Sequence, residues 1–228
     1  MKINVMIFAA VIGFLGLQSR AEDEESGEKI VSVSPDKKFA VRITYDPSFS
    51  EQYAEKLEGG ITAEATQGID LVTMPTKEVA LDLRGEEGAL DKAAWSPDSK
   101  WFAYGLSLGP RVTETRVCHR KGDKFEQLHT ENLSVESGGD TRNQYIRPIK
   151  WLSPGTLVLE QMEIFRGGAG DSTIQFTVKF DDQGKFKVIS KKKVKSKSLP
   201  FASRSNRRAR SRRFAPLRPR RSVRRRDQ

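Results

Sequence analysis

Hydrophobic and polar residues alternate at the two-residue period of half-buried β-strands in several segments between residues 22 and 190. These segments are bounded by Gly, Pro, Asp or Asn, as strand ends usually are. No long 3.6-residue apolar period occurs there. The pattern predicts an all-β domain over residues 22–189, with one short surface helix from about Ser50 to Leu57. The capping-box pair Ser48 and Glu51 favours that helix.

A strand, a Ser-Pro turn and a second strand occur three times, around Pro35, Pro97 and Pro154. Proline after serine fixes φ at the first corner of a turn, and aspartate can accept a hydrogen bond from the backbone that follows it. Each segment therefore predicts a hairpin. The three segments are VSVSPDKKFAV (31–41), AWSPDSKWFAY (94–104) and KWLSPGTLVL (150–159).

Each of these hairpins is followed by a second predicted hairpin, so that the chain divides into three four-stranded meanders. The second hairpins are predicted to turn at residues 74–76, 121–123 and 181–184. Strands are predicted beside these turns at residues 68–72, 79–83, 112–118, 173–180 and 185–189. The three units extend over about residues 29–84, 88–134 and 146–189.

The second segment, in which Trp95-Ser96-Pro97-Asp98-Ser99-Lys100 precedes the strand Trp101-Phe102-Ala103-Tyr104, resembles the SPDGK-type repeat of TolB-like β-propellers. The first segment has Lys37 where that family prefers glycine, and the third has Leu152 as an extra residue and no aspartate. The resemblance implies blade-like meanders whose motif residues form turns and pack the core. It implies no catalytic site.

Closure of these units is the open question about the architecture, because propellers typically close with four to eight blades and three units are visible. Unpaired edge strands invite association. Three arrangements are compatible with the sequence: a ring closed by self-association, a partial propeller packed as an open curved sheet or sandwich, and a domain with an unrecognised fourth unit. We expect a compact three-meander domain, for which a homodimer is one compatible assembly. Chance recurrence of Ser-Pro-Asp turns is the competing interpretation.

The first residues predict an export signal. Lys2 precedes the apolar run 5–17, and small residues flank Arg20 in Ser19-Arg20-Ala21. The run is shorter than the ~20 residues that cross a bilayer, and the acidic segment Glu22–Glu25 follows it. We therefore predict a signal peptide over residues 1–21, cleaved after Ala21, and a secreted or periplasmic mature chain without a transmembrane segment.

Charge is distributed unevenly along the chain. Residues 190–228 contain 17 Lys and Arg against one acidic residue, whereas residues 1–189 contain 23 basic and 29 acidic residues. A segment so poor in apolar residues cannot bury enough surface to fold, which predicts a disordered polybasic tail over 190–228. The tail is interpreted as a polyanion-binding arm, a solvated tail without a partner, or a misread frame after about Ser198. Its candidate polyanion-binding residues are Lys191, Lys192, Lys193, Arg207, Arg208, Arg212, Arg213, Arg220, Arg221, Arg224, Arg225 and Arg226.

Residue types that carry catalysis are sparse. Cys118 is the only cysteine, so an internal disulfide is excluded. It is adjacent to His119 on a predicted strand, where neighbouring side chains point to opposite faces and cannot form a dyad. His119 and His129 lack a third nearby ligand for zinc. Carboxylates such as Glu160 and Glu163 are expected on the surface. We predict no catalytic residue, metal site or cofactor.

Recognition is predicted beside the third unit, where the polar, glycine-containing segments 137–145 and 166–171 read as mobile loops on a rigid scaffold. Trp95 and Trp151 precede Ser-Pro turns and are expected in the core, which leaves Trp101 as the candidate aromatic platform. The candidate binding residues are Trp101, Asp140, Arg142, Asn143, Tyr145, Arg166 and Asp171.

The sequence therefore favours an exported, non-enzymatic β-repeat protein that binds an unknown protein or glycan partner through its loops. Two alternatives remain at this point. One is a polyanion-binding protein that acts through its basic tail, and the other is an extracytoplasmic hydrolase on a propeller-like scaffold.

Overall fold

The structure is a computed structural model that describes residues 26–49, 57–85, 88–130, 133–181 and 183–195. The described residues form twelve β-strands and two single-turn 3-10 helices, Glu58–Gly60 and Arg166–Gly168. The helix predicted near Ser50 falls largely on residues 50–56, outside the described residues. The strands are β1 (Gly27–Val33), β2 (Phe39–Tyr45), β3 (Thr66–Thr73), β4 (Val79–Asp82), β5 (Ala89–Trp95), β6 (Trp101–Ser107), β7 (Val112–Lys121), β8 (Lys124–Gln127), β9 (Thr141–Ser153), β10 (Thr156–Phe165), β11 (Asp171–Phe180) and β12 (Phe186–Val194).

The all-β class is confirmed, and the strands pair as three antiparallel meanders: β1 to β4, β5 to β8, and β9 to β12. The first meander is a separate four-stranded sheet. The other two share one eight-stranded sheet, because β7 also pairs in parallel with β9 through Val112 with Gln144 and Thr113 with Tyr145. The two sheets do not close into a ring. This parallel junction was not predicted.

The first two Ser-Pro turns have the same pattern of hydrogen bonds. Ser34 Oγ donates to Asp36 Oδ1 (2.7 Å) and accepts from the backbone N–H of Phe39 (3.0 Å). Ser96 Oγ does the same with Asp98 Oδ1 (2.5 Å) and the N–H of Trp101 (2.9 Å). Both serines are buried, so these bonds satisfy polar groups at the base of each hairpin. The repeat found in the sequence is therefore also present in the structure of these two turns.

Strand β6 lies between two hydrophobic cores. Phe102 and Tyr104 pack on one side against apolar residues of the first meander. Trp101 and Ala103 pack on the other side against the third meander. A strand covered on both faces is expected to be a continuous apolar run, as the sequence WFAYGL is. The middle meander therefore connects the other two into one stack.

Three predicted boundaries or exposures are corrected. Residues 141–145, predicted as part of a loop, begin strand β9. Strand β12 continues to Val194, so Lys191, Lys192 and Lys193 belong to an ordered strand and the basic tail does not begin at residue 190. Trp101 is only 6% exposed, so its ring packs the core instead of forming a surface platform.

No helix within the described ranges is long and apolar enough to cross a membrane.

Candidate binding surface

Six of the seven predicted binding residues lie at one end of the third meander. Thr141 at the start of β9 pairs with Phe165 at the end of β10, and Ile164 pairs with Asp171 at the start of β11. This pairing brings the two predicted recognition segments side by side. We call this the loop-end surface, and it consists of Asp140, Arg142, Asn143, Tyr145, Arg166 and Asp171. Trp101 does not join them, since it packs beside Gly155 of the β9–β10 turn, where β10 begins.

Asp140 and Arg166 form the most exposed pair of the loop-end surface. The backbone N–H of Arg166 donates to the carbonyl oxygen of Asp140 (2.8 Å). Their side chains approach to 3.4 Å between Nε and Oδ1, and they remain 66% and 77% exposed. An ion pair so open to water adds little stability. Both charges are therefore available to a partner.

A chain of hydrogen bonds fixes the neighbouring side chains. Arg142 Nε donates to Asn143 Oδ1 (3.1 Å), and Asn143 Nδ2 donates to the hydroxyl of Tyr145 (2.7 Å). The Tyr145 hydroxyl in turn donates to the carbonyl oxygen of Pro110 (2.7 Å). Asn143 is buried, so its role is to orient Arg142 and Tyr145, which are the side chains that can contact a partner directly. Because Pro110 lies in the β6–β7 turn, these bonds also tie the surface to the second meander.

Beneath the surface lies a buried polar cluster that the sequence reasoning missed. Glu163, which was expected on the surface, is 3% exposed. Its Oε1 accepts hydrogen bonds from Gln144 Nε2 (2.9 Å) and Gln161 Nε2 (3.1 Å). The Gln161 side chain also bonds to both backbone groups of Val135, at 2.8 and 2.7 Å. Gln161 therefore anchors the connection between β8 and β9.

The alternation along β10 contained the signal for this cluster. Leu157 and Leu159 are core residues, and Gln161 and Glu163 follow at the same two-residue spacing. Side chains two residues apart in a strand share a face, so the side chains of Gln161 and Glu163 point inward like those of Leu157 and Leu159. At Glu163 the alternation along the strand predicts burial better than the general tendency of charged residues to lie on the surface.

A cleft of about 630 Å³ opens where two strands diverge from β7. Strand β9 pairs with Val112 and Thr113, whereas β8 pairs with residues 118–121, along the same edge of β7. The gap between them is lined mostly by polar side chains. They include Glu114, Arg116, Gln127, His129, Ser134 and Gln144. No sequence signal identified this cleft, because it depends on the parallel pairing of β7 with β9.

A buried tyrosine positions part of the cleft wall. The Tyr104 hydroxyl donates to the carbonyl oxygen of Leu83 (2.8 Å) and lies 3.0 Å from Gln127 Oε1. Arg116 is hydrogen-bonded to the same hydroxyl. Burial raises the pKa of Tyr104, so the phenol stays protonated. Arg116 and Gln127 are thereby held in place before any ligand arrives.

Cys118 and His119 lie on opposite faces of β7, as predicted. Cys118 is fully buried in the core shared with the first meander, and burial raises the pKa of its thiol to about 12. The His119 ring stacks on Trp101 in the other direction, with 3.9 Å between ring centroids. Within the described ranges no three His, Cys, Asp or Glu side chains are grouped to hold a metal ion.

Lys191, Lys192 and Lys193 are exposed on β12. The other candidate polyanion-binding residues, the arginines from Arg207 to Arg226, lie outside the described residues.

Comparison of the chain with protein-family models, with curated proteins and with solved structures found no match.

Proposed function

We propose that this protein is an exported, non-enzymatic binding protein whose three-meander stack presents the loop-end surface to a protein or glycan partner. One observation carries the proposal. The hydrogen-bonded chain from Arg142 through Asn143 and Tyr145 to Pro110 fixes polar side chains that the sequence had already indicated as recognition residues. Fixed side chains lose less conformational entropy when a partner binds.

The cleft beside β7 supports the same proposal. Gln144, which lines the cleft, lies between Asn143 and Tyr145 on β9. The volume of the cleft, about 630 Å³, falls within the range of about 300 to 1,000 Å³ that is usual for ligand sites. Because neighbouring residues of a strand project to opposite faces, the cleft lies on the other face of β9 from the side chains of Asn143 and Tyr145. We therefore propose the cleft as a second recognition site, separate from the loop-end surface.

The described side chains favour binding over catalysis. The Cys118 thiol is buried and stays protonated at neutral pH, so it cannot serve as the thiolate nucleophile. Asp140 is open to water and its side chain lies 3.4 Å from that of Arg166, so this exposed pair presents charge to a partner. These properties suit charge recognition.

Export rests on the predicted signal peptide, which lies outside the described residues. The intact mass of the chain recovered from its producing cells tests it directly. A mass that matches a chain beginning at Glu22 supports export. A mass that matches a chain with residues 1–21 still attached contradicts it.

The recognition surface is tested with a matched pair of full-length variants. Asp140→Ala/Arg166→Ala removes one exposed ion pair from the loop-end surface. Lys77→Ala/Glu28→Ala removes a comparable pair (2.5 Å) from the first meander. Each variant is immobilised and incubated with the extracytoplasmic fraction of the producing cells and with a glycan array. Bound material is then quantified against the wild type.

We expect a partner that the wild type and the Lys77/Glu28 variant retain equally and that the Asp140/Arg166 variant binds at least tenfold less. Equal retention by all three proteins would place recognition elsewhere and overturn the assignment of the surface. Turnover of a candidate glycan by the wild type would overturn the non-enzymatic part of the proposal.

A further inference from the structure

Strand β12 is a free edge of the eight-stranded sheet. Among the described strands it pairs with β11 alone, and residues 187–193 are exposed. Seven lysines are concentrated on this strand, on the end of β11 and on the flanking residues, and all of them are exposed. They are Lys179, Lys185, Lys187, Lys191, Lys192, Lys193 and Lys195.

The strand register places these lysines on both sides of the edge. Lys191 and Lys193 lie opposite the buried residues Phe176 and Ile174 of β11. Lys192 lies opposite Gln175 and projects from the other face. Lysines two residues apart on one face are separated by about 7 Å. An extended chain lying along β12 would therefore meet ammonium groups from two sides at regular intervals.

Within the described part of the chain, no ion pair neutralises the charges on this edge. Among the described residues no carboxylate lies within 4 Å of any of the seven lysines, whereas lysines elsewhere, such as Lys77 and Lys121, form ion pairs with Glu28 and Glu126. Residues 1–189, which include three of the seven lysines, contain 23 basic and 29 acidic residues, so the rest of that segment is acidic. A row of unpaired cations on an otherwise acidic domain attracts polyanions.

The same edge is poorly suited to pairing with another strand. The register shifts between Thr177 and Val178, which leaves Ile189 as a bulged residue in β12. Bulges and exposed lysines are the features that keep edge strands from pairing edge to edge. Strand addition by a peptide or a second copy is therefore disfavoured, and the lysine side chains are left as the means of attachment.

We propose that the β12 edge binds a linear anionic polysaccharide, through its sulfate or carboxylate groups, at a site distinct from the loop-end surface. Binding of single-stranded nucleic acid usually adds aromatic rings on which bases stack. The rings beside this edge, Phe180 and Phe186, pack against each other at 5.9 Å, and Phe180 is 5% exposed. This choice also rests on the export proposed above, because a partner outside the cytoplasm is more readily a glycan than a nucleic acid.

The test uses two full-length variants with the same change in net charge. Lys187→Gln/Lys191→Gln/Lys192→Gln/Lys193→Gln removes charge from the β12 edge. The control replaces four exposed lysines elsewhere, Lys38, Lys100, Lys124 and Lys150, by glutamine. Affinity for heparin and for polygalacturonate is measured against salt concentration, with a single-stranded DNA of similar charge as a third probe. Urea unfolding of each variant establishes that it folds.

We expect the edge variant to bind at least one of the two glycans tenfold more weakly at 150 mM salt, a weakening on the order expected for losing several ionic contacts, with a salt slope smaller by about 3. The control should change affinity by less than twofold. Equal weakening in both variants would assign binding to overall charge or to residues 196–228 and overturn the proposal. A selective loss of DNA binding without a loss of glycan binding would overturn the choice of polysaccharide.

Discussion

Trp151 donates its indole N–H to the carbonyl oxygen of Ala94 at 3.1 Å, and Trp95 makes the same bond to Ser32 at 2.9 Å. Ala94 directly precedes Trp95, and Ser32 precedes Val33 at the equivalent position of the first repeat. Each tryptophan therefore ties its own repeat to the repeat before it. Among the described residues no repeat precedes the first one, and Val33 at the tryptophan position is 50% exposed.

The Trp151→Phe substitution tests this connection. Phenylalanine keeps a six-membered aromatic ring but removes the indole N–H and some buried volume, which leaves the Ala94 carbonyl without its donor and should lower the free energy of unfolding by about 1 to 3 kcal/mol. Urea denaturation measures the change. Val33→Ala at the equivalent exposed position serves as the control and should stay within about 0.5 kcal/mol of wild type. Equal costs at the two positions would show that the indole bond does not join the repeats.

The turn position after the aspartate should respond to glycine differently in two repeats. Lys37 (φ 59°) and Ser99 (φ 57°) both adopt the left-handed conformation, and Gly155 (φ 70°) does so in the third turn. Only glycine adopts this conformation without steric cost. Lys37 is exposed, so Lys37→Gly should raise the free energy of unfolding by about 1 kcal/mol, as measured by urea denaturation.

Ser99→Gly provides the contrast for that measurement. Ser99 is buried, and its Oγ accepts a hydrogen bond from the backbone N–H of Asp36 (3.0 Å), which connects the second repeat to the first. Relief of the backbone strain is therefore offset by loss of this bond, worth about 1 kcal/mol. Little net change is expected. A gain at Ser99 equal to that at Lys37 would mean that the bond contributes nothing.

Local signals predicted the meanders well because a Ser-Pro-Asp turn and its two strands are specified within about ten residues. The positions of the turns at 34–38, 96–100 and 153–155 and of the second hairpins followed from the alternation and from turn residues alone. Even the polar cluster of Gln161 and Glu163 was encoded by the alternation in β10.

Longer-range features could not be predicted in this way. The parallel pairing of Val112 with Gln144 joins residues more than thirty positions apart, and no local pattern specifies it. The loop-end residues Asp140 and Arg166 were predicted as binding residues from their polarity, but their contact depends on the register of β9 with β10. Trp101 was misassigned because its repeat position does not reveal that β6 is covered on both faces.

Cys118 should resist thiol reagents while the protein is folded. The thiol is fully buried, and burial raises its pKa to about 12. At neutral pH a reagent therefore cannot reach the sulfur, and the reactive thiolate does not form. We expect labelling by a chromogenic disulfide reagent to be more than a thousandfold slower in native buffer than in 6 M guanidinium chloride. Rapid labelling of the native protein would contradict the packing of β7 between the two cores.

The ion pair between Asp91 and Arg147 joins β5 to β9, with 2.6 Å between Oδ2 and Nε. The Asp91 side chain is 5% exposed and that of Arg147 is 31% exposed. Burial raises the pKa of Asp91 above its usual 3.8, and Arg147 opposes that rise. An acid with a raised pKa in the folded state is costly when ionised, so its contribution to stability falls as the pH rises from 3.8 through the pKa of the folded state.

Arg147→Gln should therefore destabilise the protein in a pH-dependent manner. Removing the guanidinium leaves a buried, unpaired carboxylate at neutral pH, which should lower the free energy of unfolding by roughly 3 kcal/mol. At a pH below 3.8 Asp91 is protonated in both the folded and unfolded states, and most of the cost should disappear. Urea unfolding across this pH range measures the difference. The double variant Asp91→Asn/Arg147→Gln has no carboxyl to ionise at this position, so its cost relative to Asp91→Asn should be independent of pH. A pH-dependent cost that persists in the double variant would assign the effect to another group.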